Sequence, residues 1–120
     1  MSWSFQADMP IYTQLVARLQ EQIVSGVYPP GGKLPSVRDL AAEAGVNPYT
    51  VQRAFADLER EGLIYTQRTA GKFVAEDAAV VGAARRKLAE AQTRQYLTAM
   101  RALGCAREEI MDLLNQMEEQ

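Results

Sequence analysis

The stretch Leu34-Pro35-Ser36-Val37-Arg38-Asp39-Leu40-Ala41-Ala42-Glu43-Ala44-Gly45-Val46-Asn47-Pro48-Tyr49-Thr50-Val51-Gln52-Arg53-Ala54 decides the reading of this chain. Ser36 is placed to N-cap a helix, with Asp39 three residues on in the manner of a capping box and Pro35 just outside. Val37, Leu40 and Ala41 form the inward face, and Gly45 supplies the left-handed turn that stops the helix. Asn47-Pro48 restarts the chain, Asn as cap and Pro as first helical residue. The next helix runs to about Glu61, with Val51, Ala54, Phe55 and Leu58 as its buried stripe, and Gly62 ends it. Two short helices behind a tight glycine corner, with small Ala41 at their crossing, are a helix-turn-helix.

Working outward, Asp8-Met9-Pro10 opens an earlier helix, Asp8 serving as cap and Pro10 standing in the first turn. Ile11, Leu15, Leu19 and Ile23 recur at helical spacing until Ser25-Gly26, with Val16 and Gln20 beside them. Tyr28-Pro29-Pro30-Gly31-Gly32 is a turn-rich connector. Downstream, Leu63-Ile64-Tyr65-Thr66 and Lys72-Phe73-Val74-Ala75 have strand composition, and the loop Gln67 to Gly71 between them closes a two-stranded wing. Beyond Glu76 the pattern is helical and Ala-rich. Val81, Ala84, Leu88, Ala91, Tyr96, Ala99, Met100 and Leu103 make a long apolar stripe that Gly104 breaks. Glu108 and Glu109 suit the first turn of a last helix, whose face is Ile110, Leu113, Leu114 and Met117.

Composition narrows the function classes. With 48% hydrophobic and 23% charged residues in 120, the chain has a globular composition, enough for one ordinary domain and a small appendage. There is no histidine and a single cysteine, Cys105. That removes Ser-His-Asp and Cys-His nucleophile activation, thiolate zinc sites and internal disulfides. No phosphate loop or dinucleotide fingerprint is present. No catalytic residue, metal or cofactor is expected. No apolar run approaches the roughly 20 residues that span a bilayer, and no signal-peptide start is present, so a cytoplasmic protein is expected.

The net charge of −2 gives DNA binding no bulk support. Residues 1–75 balance Arg18, Lys33, Arg38, Arg53, Arg60, Arg68 and Lys72 against Asp8, Glu21, Asp39, Glu43, Asp57, Glu59 and Glu61. The excess acid lies in the tail, where Glu108, Glu109, Asp112, Glu118 and Glu119 have no basic residue among them. Local placement must therefore carry the interaction. A recognition helix in the major groove would present Asn47, Tyr49, Thr50, Gln52 and Arg53 to phosphates and base edges. Arg38 opens the preceding helix within reach of the backbone. Arg68, Thr69 and Lys72 in the wing could enter the minor groove or clamp phosphate.

These words, in this order and spacing, resemble the GntR family of bacterial transcription regulators. The matching segments are Pro10-Ile11-Tyr12, Ser25-Gly26-Val27-Tyr28-Pro29-Pro30-Gly31, Leu34 to Ala41, Gly45 to Ala54, Leu58-Glu59-Arg60-Glu61-Gly62-Leu63-Ile64 and Gly71-Lys72-Phe73-Val74. The resemblance covers about residues 9–75. The short remainder, patterned as two helices, and the Asn47-Pro48-x-Thr50 opening are similar to the YtrA-type branch. That resemblance implies a dimer on a palindromic operator, generally repressing, and often governing genes for transporters of the ATP-binding cassette type. Two departures stand out. The wing commonly reads Gly-x-Gly-Thr-Phe-Val, whereas this chain has Thr69-Ala70-Gly71-Lys72-Phe73-Val74. Many relatives also carry Arg at the position of Gln52.

The expected fold class is mainly α with a small β-wing: a winged helix-turn-helix DNA-binding domain over 1–76, followed by two C-terminal helices forming a dimerisation tail over 77–120. DNA contacts are expected at Arg38, Asn47, Pro48, Tyr49, Thr50, Gln52, Arg53, Arg68, Thr69 and Lys72. The dimer interface is expected at Val81, Ala84, Leu88, Ala91, Tyr96, Met100, Leu103, Ile110, Leu113, Leu114 and Met117. The expected partners are a double-stranded DNA operator and a second copy of the chain. A tail this short cannot enclose a roomy pocket alone, so a small-molecule effector would sit between subunits or against the long helix. Blander readings stand beside these. Arg53 could pair with Asp57, Arg38 with Glu43, and Arg68 could be a solubilising loop charge. Arg85-Arg86-Lys87 reads as a solvated face, with Glu90 as a pairing partner. The Tyr96–Met100–Leu103 stripe could be intramolecular core, and Cys105 a structural thiol or a redox sensor. The alternative function is a winged-helix protein-interaction module with no specific DNA operator.

Overall fold

A computed structural model describes residues 3–117. In chain order it holds α1 (Ile11–Val24), α2 (Val37–Ala44), α3 (Pro48–Arg60), β1 (Ile64–Gln67), β2 (Gly71–Val74), α4 (Ala78–Ala102) and α5 (Arg107–Gln116). Two compact units divide it, Met1–Arg85 and Arg86–Gln120. No helix among the described residues is long and apolar enough to cross a membrane.

The first unit is a three-helix core closed by the wing, a mainly α winged helix-turn-helix. Leu15, Leu19 and Ile23 of α1 meet Leu40 and Ala41 of α2 and Val51, Ala54, Phe55 and Leu58 of α3. Leu34, Leu63, Ile64 and Val74 close this core from the loops and strands, and Val81 joins it from the first turns of α4. All of these side chains are at least nine-tenths buried, so the apolar stripes read from the sequence are the contact surfaces. Ile11 is the exception: it is 46% exposed. It stands in the first turn of α1, before the stripe reaches the other helices.

The helix ends follow side-chain chemistry. The Ser36 hydroxyl accepts from the Asp39 N–H at 3.0 Å. Asn47 Oδ1 accepts from the Tyr49 N–H at 2.8 Å, with Pro48 in the first turn. α1 departs from expectation: Pro10 itself holds the cap position and no side chain caps the helix, so Asp8 has no such role. Instead Gln14 folds back, its Nε2 donating to the Met9 and Gln6 carbonyls at 2.9 and 2.8 Å.

The wing pairs β1 with β2 antiparallel, from Ile64↔Val74 to Gln67↔Gly71. Both strands lie one residue away from the sequence expectation. Leu63 is drawn out of β1 because its N–H donates to the Leu58 carbonyl at the end of α3. Gly71 enters β2 because it pairs with Gln67, at a φ of 113° that side-chain-bearing residues rarely adopt. The connector adds a third edge unforeseen in the sequence. Lys33 bridges to Phe73, and the Leu34 N–H donates to the Lys72 carbonyl at 2.9 Å.

In the second unit, α4 ends where Gly104 turns left-handed at φ 86°, and the Met100 carbonyl accepts from the N–H groups of Leu103 and Cys105. α5 starts at Ala106 without a side-chain cap. Glu108 and Glu109 in its first turn oppose the positive end of the helix dipole instead. Glu118 and Glu119 lie outside the described residues.

Candidate nucleic-acid interface

The corner between α2 and α3 sets the presentation. Gly45 is left-handed at φ 70°, and the Ala41 carbonyl accepts from the N–H groups of both Gly45 and Val46, at 2.9 and 3.0 Å. A Cβ at Gly45 would meet nothing within 4 Å. The backbone angle, not space, therefore demands glycine there. Ala41 is buried at this crossing, and Val46 packs on the core beneath it.

With the α3 core residues turned inward, Tyr49, Gln52, Arg53, Ala56 and Arg60 make up its solvent stripe at helical spacing. Asn47 and Pro48 are exposed at its head, Thr50 is half-buried, and Tyr49 is 65% exposed. Arg38 is exposed on α2. Ala56 was not singled out from the sequence, although its small side chain keeps the middle of the stripe low.

Two of the bland pairings are replaced by others. Glu43, offered as a partner for Arg38, accepts from Trp3 Nε1 at 3.2 Å. Asp57, offered as a partner for Arg53, instead takes Arg60 at 2.7 Å through one oxygen and the Tyr12 hydroxyl through the other. The Arg53 guanidinium lies over the Tyr12 ring, its central carbon 4.0 Å from the ring centre. Neither Arg38 nor Arg68 forms an ion pair among the described residues. Tyr12 is a residue that sequence reasoning quoted without giving it a role.

The wing turns at Arg68, Thr69 and Ala70, with Arg68 and Thr69 exposed. Lys72 is held differently. Its Nζ contacts Glu59 at 2.9 Å and donates to Thr66 Oγ1 at 2.8 Å, while the Thr66 hydroxyl donates to Glu59 at 2.7 Å. This triad ties α3 to the wing, and the hydrogen bond from Lys72 holds the Glu59 carboxyl below its ordinary range, assisted by Thr66. Arg68 and Thr69 are thus the outward groups of the loop. Lys33, exposed on the third edge, has its Cε only 3.4 Å from where a Cβ of Gly71 would stand. A second cation therefore accompanies the wing.

Residues 11–74 match the family described as bacterial regulatory proteins, gntR family, over more than half of the chain. The chain belongs to the gntR family. It is a DNA-binding transcriptional regulator of that family, and not an enzyme. It is 37% identical over 112 residues to an HTH-type transcriptional regulator of Bacillus subtilis, YhcF, covering 93% of both chains. Another B. subtilis protein, the HTH-type transcriptional repressor YtrA, is 44% identical over 73 residues, covering 61% of this chain and 56% of that one. Among solved structures, a GntR family transcriptional regulator from Listeria monocytogenes superposes with a TM-score of 0.88 at 38% identity, over 95% of this chain and 100% of that one. The AraR DNA-binding domain in complex with operator ORX1 superposes with a TM-score of 0.57 at 29% identity, over 62% of this chain and 99% of that one.

This gntR-family chain places its expected tail residues unevenly. Val81 is buried and Ala84 half-buried against the core of the first unit. In the second unit Ile110 is 5% exposed, and Leu88, Met100 and Leu113 are half-buried. Tyr96, Leu103, Leu114 and Met117 are 38, 76, 51 and 68% exposed, and Ala91 is also exposed. Arg86 pairs with Glu90 at 3.0 Å on the solvated face, as the bland reading had it. An open cleft of about 660 Å³ lies between α4 and α5, lined by Tyr96, Leu97, Ile110, Met111 and Leu114 with Arg101, Cys105 and Arg107. Partial burial and then the neighbouring Glu109 raise the Cys105 thiol above its usual range. That lowers the fraction present as thiolate.

Proposed function

We propose that this regulator is a repressor acting in the cytoplasm as a homodimer on an inverted-repeat operator, with residues 1–76 reading DNA and 77–120 pairing the subunits. α3 enters the major groove through Tyr49, Gln52 and Arg53. Its capped head (Asn47, Pro48, Thr50) and Arg38 meet the phosphates, and Arg68 and Thr69 of the wing reach the flanking backbone or minor groove. Lys72 acts on the wing's posture through Glu59 and adds positive charge behind it. The pairing surface is Leu88, Ala91, Tyr96, Met100, Leu103, Leu113, Leu114 and Met117. The regulated genes are those the YtrA-type resemblance implies, encoding membrane transporters.

The carrying observation is the outward stripe of α3. It is polar from Tyr49 to Arg60 apart from Ala56, and it is flanked by two arginines that make no ion pair among the described residues. A protein-docking face would want apolar anchors there. The similar, operator-bound AraR DNA-binding domain supports the reading by analogy. A mobility-shift assay on the protein's own promoter region tests it. R38A and R53A should each weaken binding without unfolding the chain, and parent affinity should fall steeply with salt as phosphate contacts release counterions. Parent-like binding by both variants, or a salt-insensitive complex, would remove the assignment.

A further inference from the structure

The recognition helix carries a side chain whose posture is set from another helix. Tyr12 stands in the first turn of α1 and is half-buried. Its ring lies under the Arg53 guanidinium at 4.0 Å, and its hydroxyl donates to Asp57, which also holds Arg60 at 2.7 Å. The contact joins residues 12, 53, 57 and 60 into one array on the solvent side of α3. Arginine is otherwise among the most flexible of side chains, and a guanidinium held by its face keeps its N–H edge available for planar acceptors such as phosphate or guanine.

We propose that Tyr12 is a positioning residue for DNA recognition: its ring holds Arg53 in the orientation it needs on the duplex, and the Asp57 hydrogen bond fixes the ring. This rests on the reading of Arg53 as a DNA contact. Asp57 serves as an anchor for Tyr12 rather than as the ion-pair partner of Arg53, which leaves the arginine's charge unneutralised by a carboxylate. Holding Arg53 before binding lowers the ordering cost at the groove. A purely structural tyrosine would act independently of Arg53; a positioning tyrosine acts through it.

The test measures affinity of the full-length chain for a duplex enriched from random DNA against the parent protein, and for a scrambled duplex, by fluorescence anisotropy. The variants are Y12F, Y12L, R53A and Y12L/R53A. Y12F, which keeps the ring and loses its hydrogen bond to Asp57, should lose about twofold, and a loss equal to that of Y12L would overturn the role of the ring. Y12L should lose about threefold to tenfold on the enriched duplex, the worth of a cation–π contact, and much less on the scrambled one. On the R53A background Y12L should cost nothing more. Independent multiplication of the two losses, or a Y12L protein that binds like the parent while R53A does not, overturns the positioning role and leaves the Arg53 assignment standing. An R53A protein that binds like the parent overturns both. Should Y12L unfold, the Arg53 Nε–H proton resonance decides: a ring-current shift in the parent that persists in Y12F supports the stack, and an unshifted resonance refutes it.

Discussion

α3 and the α4–α5 pair are both amphipathic, yet they dispose of their apolar residues in opposite ways. Every apolar stripe residue of α3 is at most 1% exposed, and its outer surface is polar and cationic. In the second unit Ile110 alone is fully buried among the described residues, while Leu103 and Met117 are more than two-thirds exposed. The first unit supplies its own core, and its open surface is chemistry for hydrogen bonding. The second leaves Tyr96, Leu103, Met111, Leu114 and Met117 exposed to water. On the proposed function, each has a different kind of partner: a polyanion for α3, an apolar surface for the tail.

The sharpest break between the two regions should come from truncating their apolar residues. Phe55→Ala should destabilise the first unit by about 3–5 kcal/mol in urea unfolding, as an unfilled core cavity does. Replacing Leu103 and Leu114 together by Asp should leave that unfolding transition within about 0.5 kcal/mol, since neither belongs to the core. On the proposed homodimer, the parent should sediment as a dimer and the same double variant as a monomer. A double variant that stays dimeric would mean that the exposed stripe is not the pairing surface.

Smaller effects refine the α3 side. Gly45→Ala should cost about 1–2 kcal/mol, because the left-handed corner disfavours a Cβ although the space around it is open. Thermal unfolding reads this directly, and a neutral outcome would show that the corner relaxes. The Lys72–Glu59 tie should matter least. Because Glu59 is held below its ordinary range, its contribution is fully present above the usual carboxylate pKa of about 4.3. It is lost as pH falls through the lower folded value. The stability gap between parent and K72M, below about 1 kcal/mol for a pair this exposed, should therefore be present at neutral pH and vanish in acid. A gap unchanged in acid would assign the effect to packing of the lysine stem.

What the sequence made legible was local. Ser36, Gly45 and Asn47-Pro48 act on neighbours within a few residues, and the buried stripe of α3 is a matter of period alone, so these matched the structure residue for residue. Apart from the Asp8 cap, the departures involve distant partners. Asp57 was the alternative partner for Arg53 one turn away, but Tyr12, 45 residues earlier in the chain, takes one of its oxygens. Glu43 goes to Trp3, and Lys72 to Glu59. The strands shifted because Leu63 answers to the end of α3 as well as to the hairpin. Periodicity shows which face of an element is apolar, but not which side chain of another element meets its polar edge. That edge is where Arg53 meets Tyr12.

Paired insertion of α3 is tested most directly by the arrangement of protein on DNA. Hydroxyl-radical footprinting of the parent on its own promoter should show two protected blocks related by a dyad, their centres about one helical turn apart, 10–10.5 bp. The R53A protein should lose both blocks together. A single unsymmetrical block, or uniform weak protection along the fragment, would contradict paired insertion of α3.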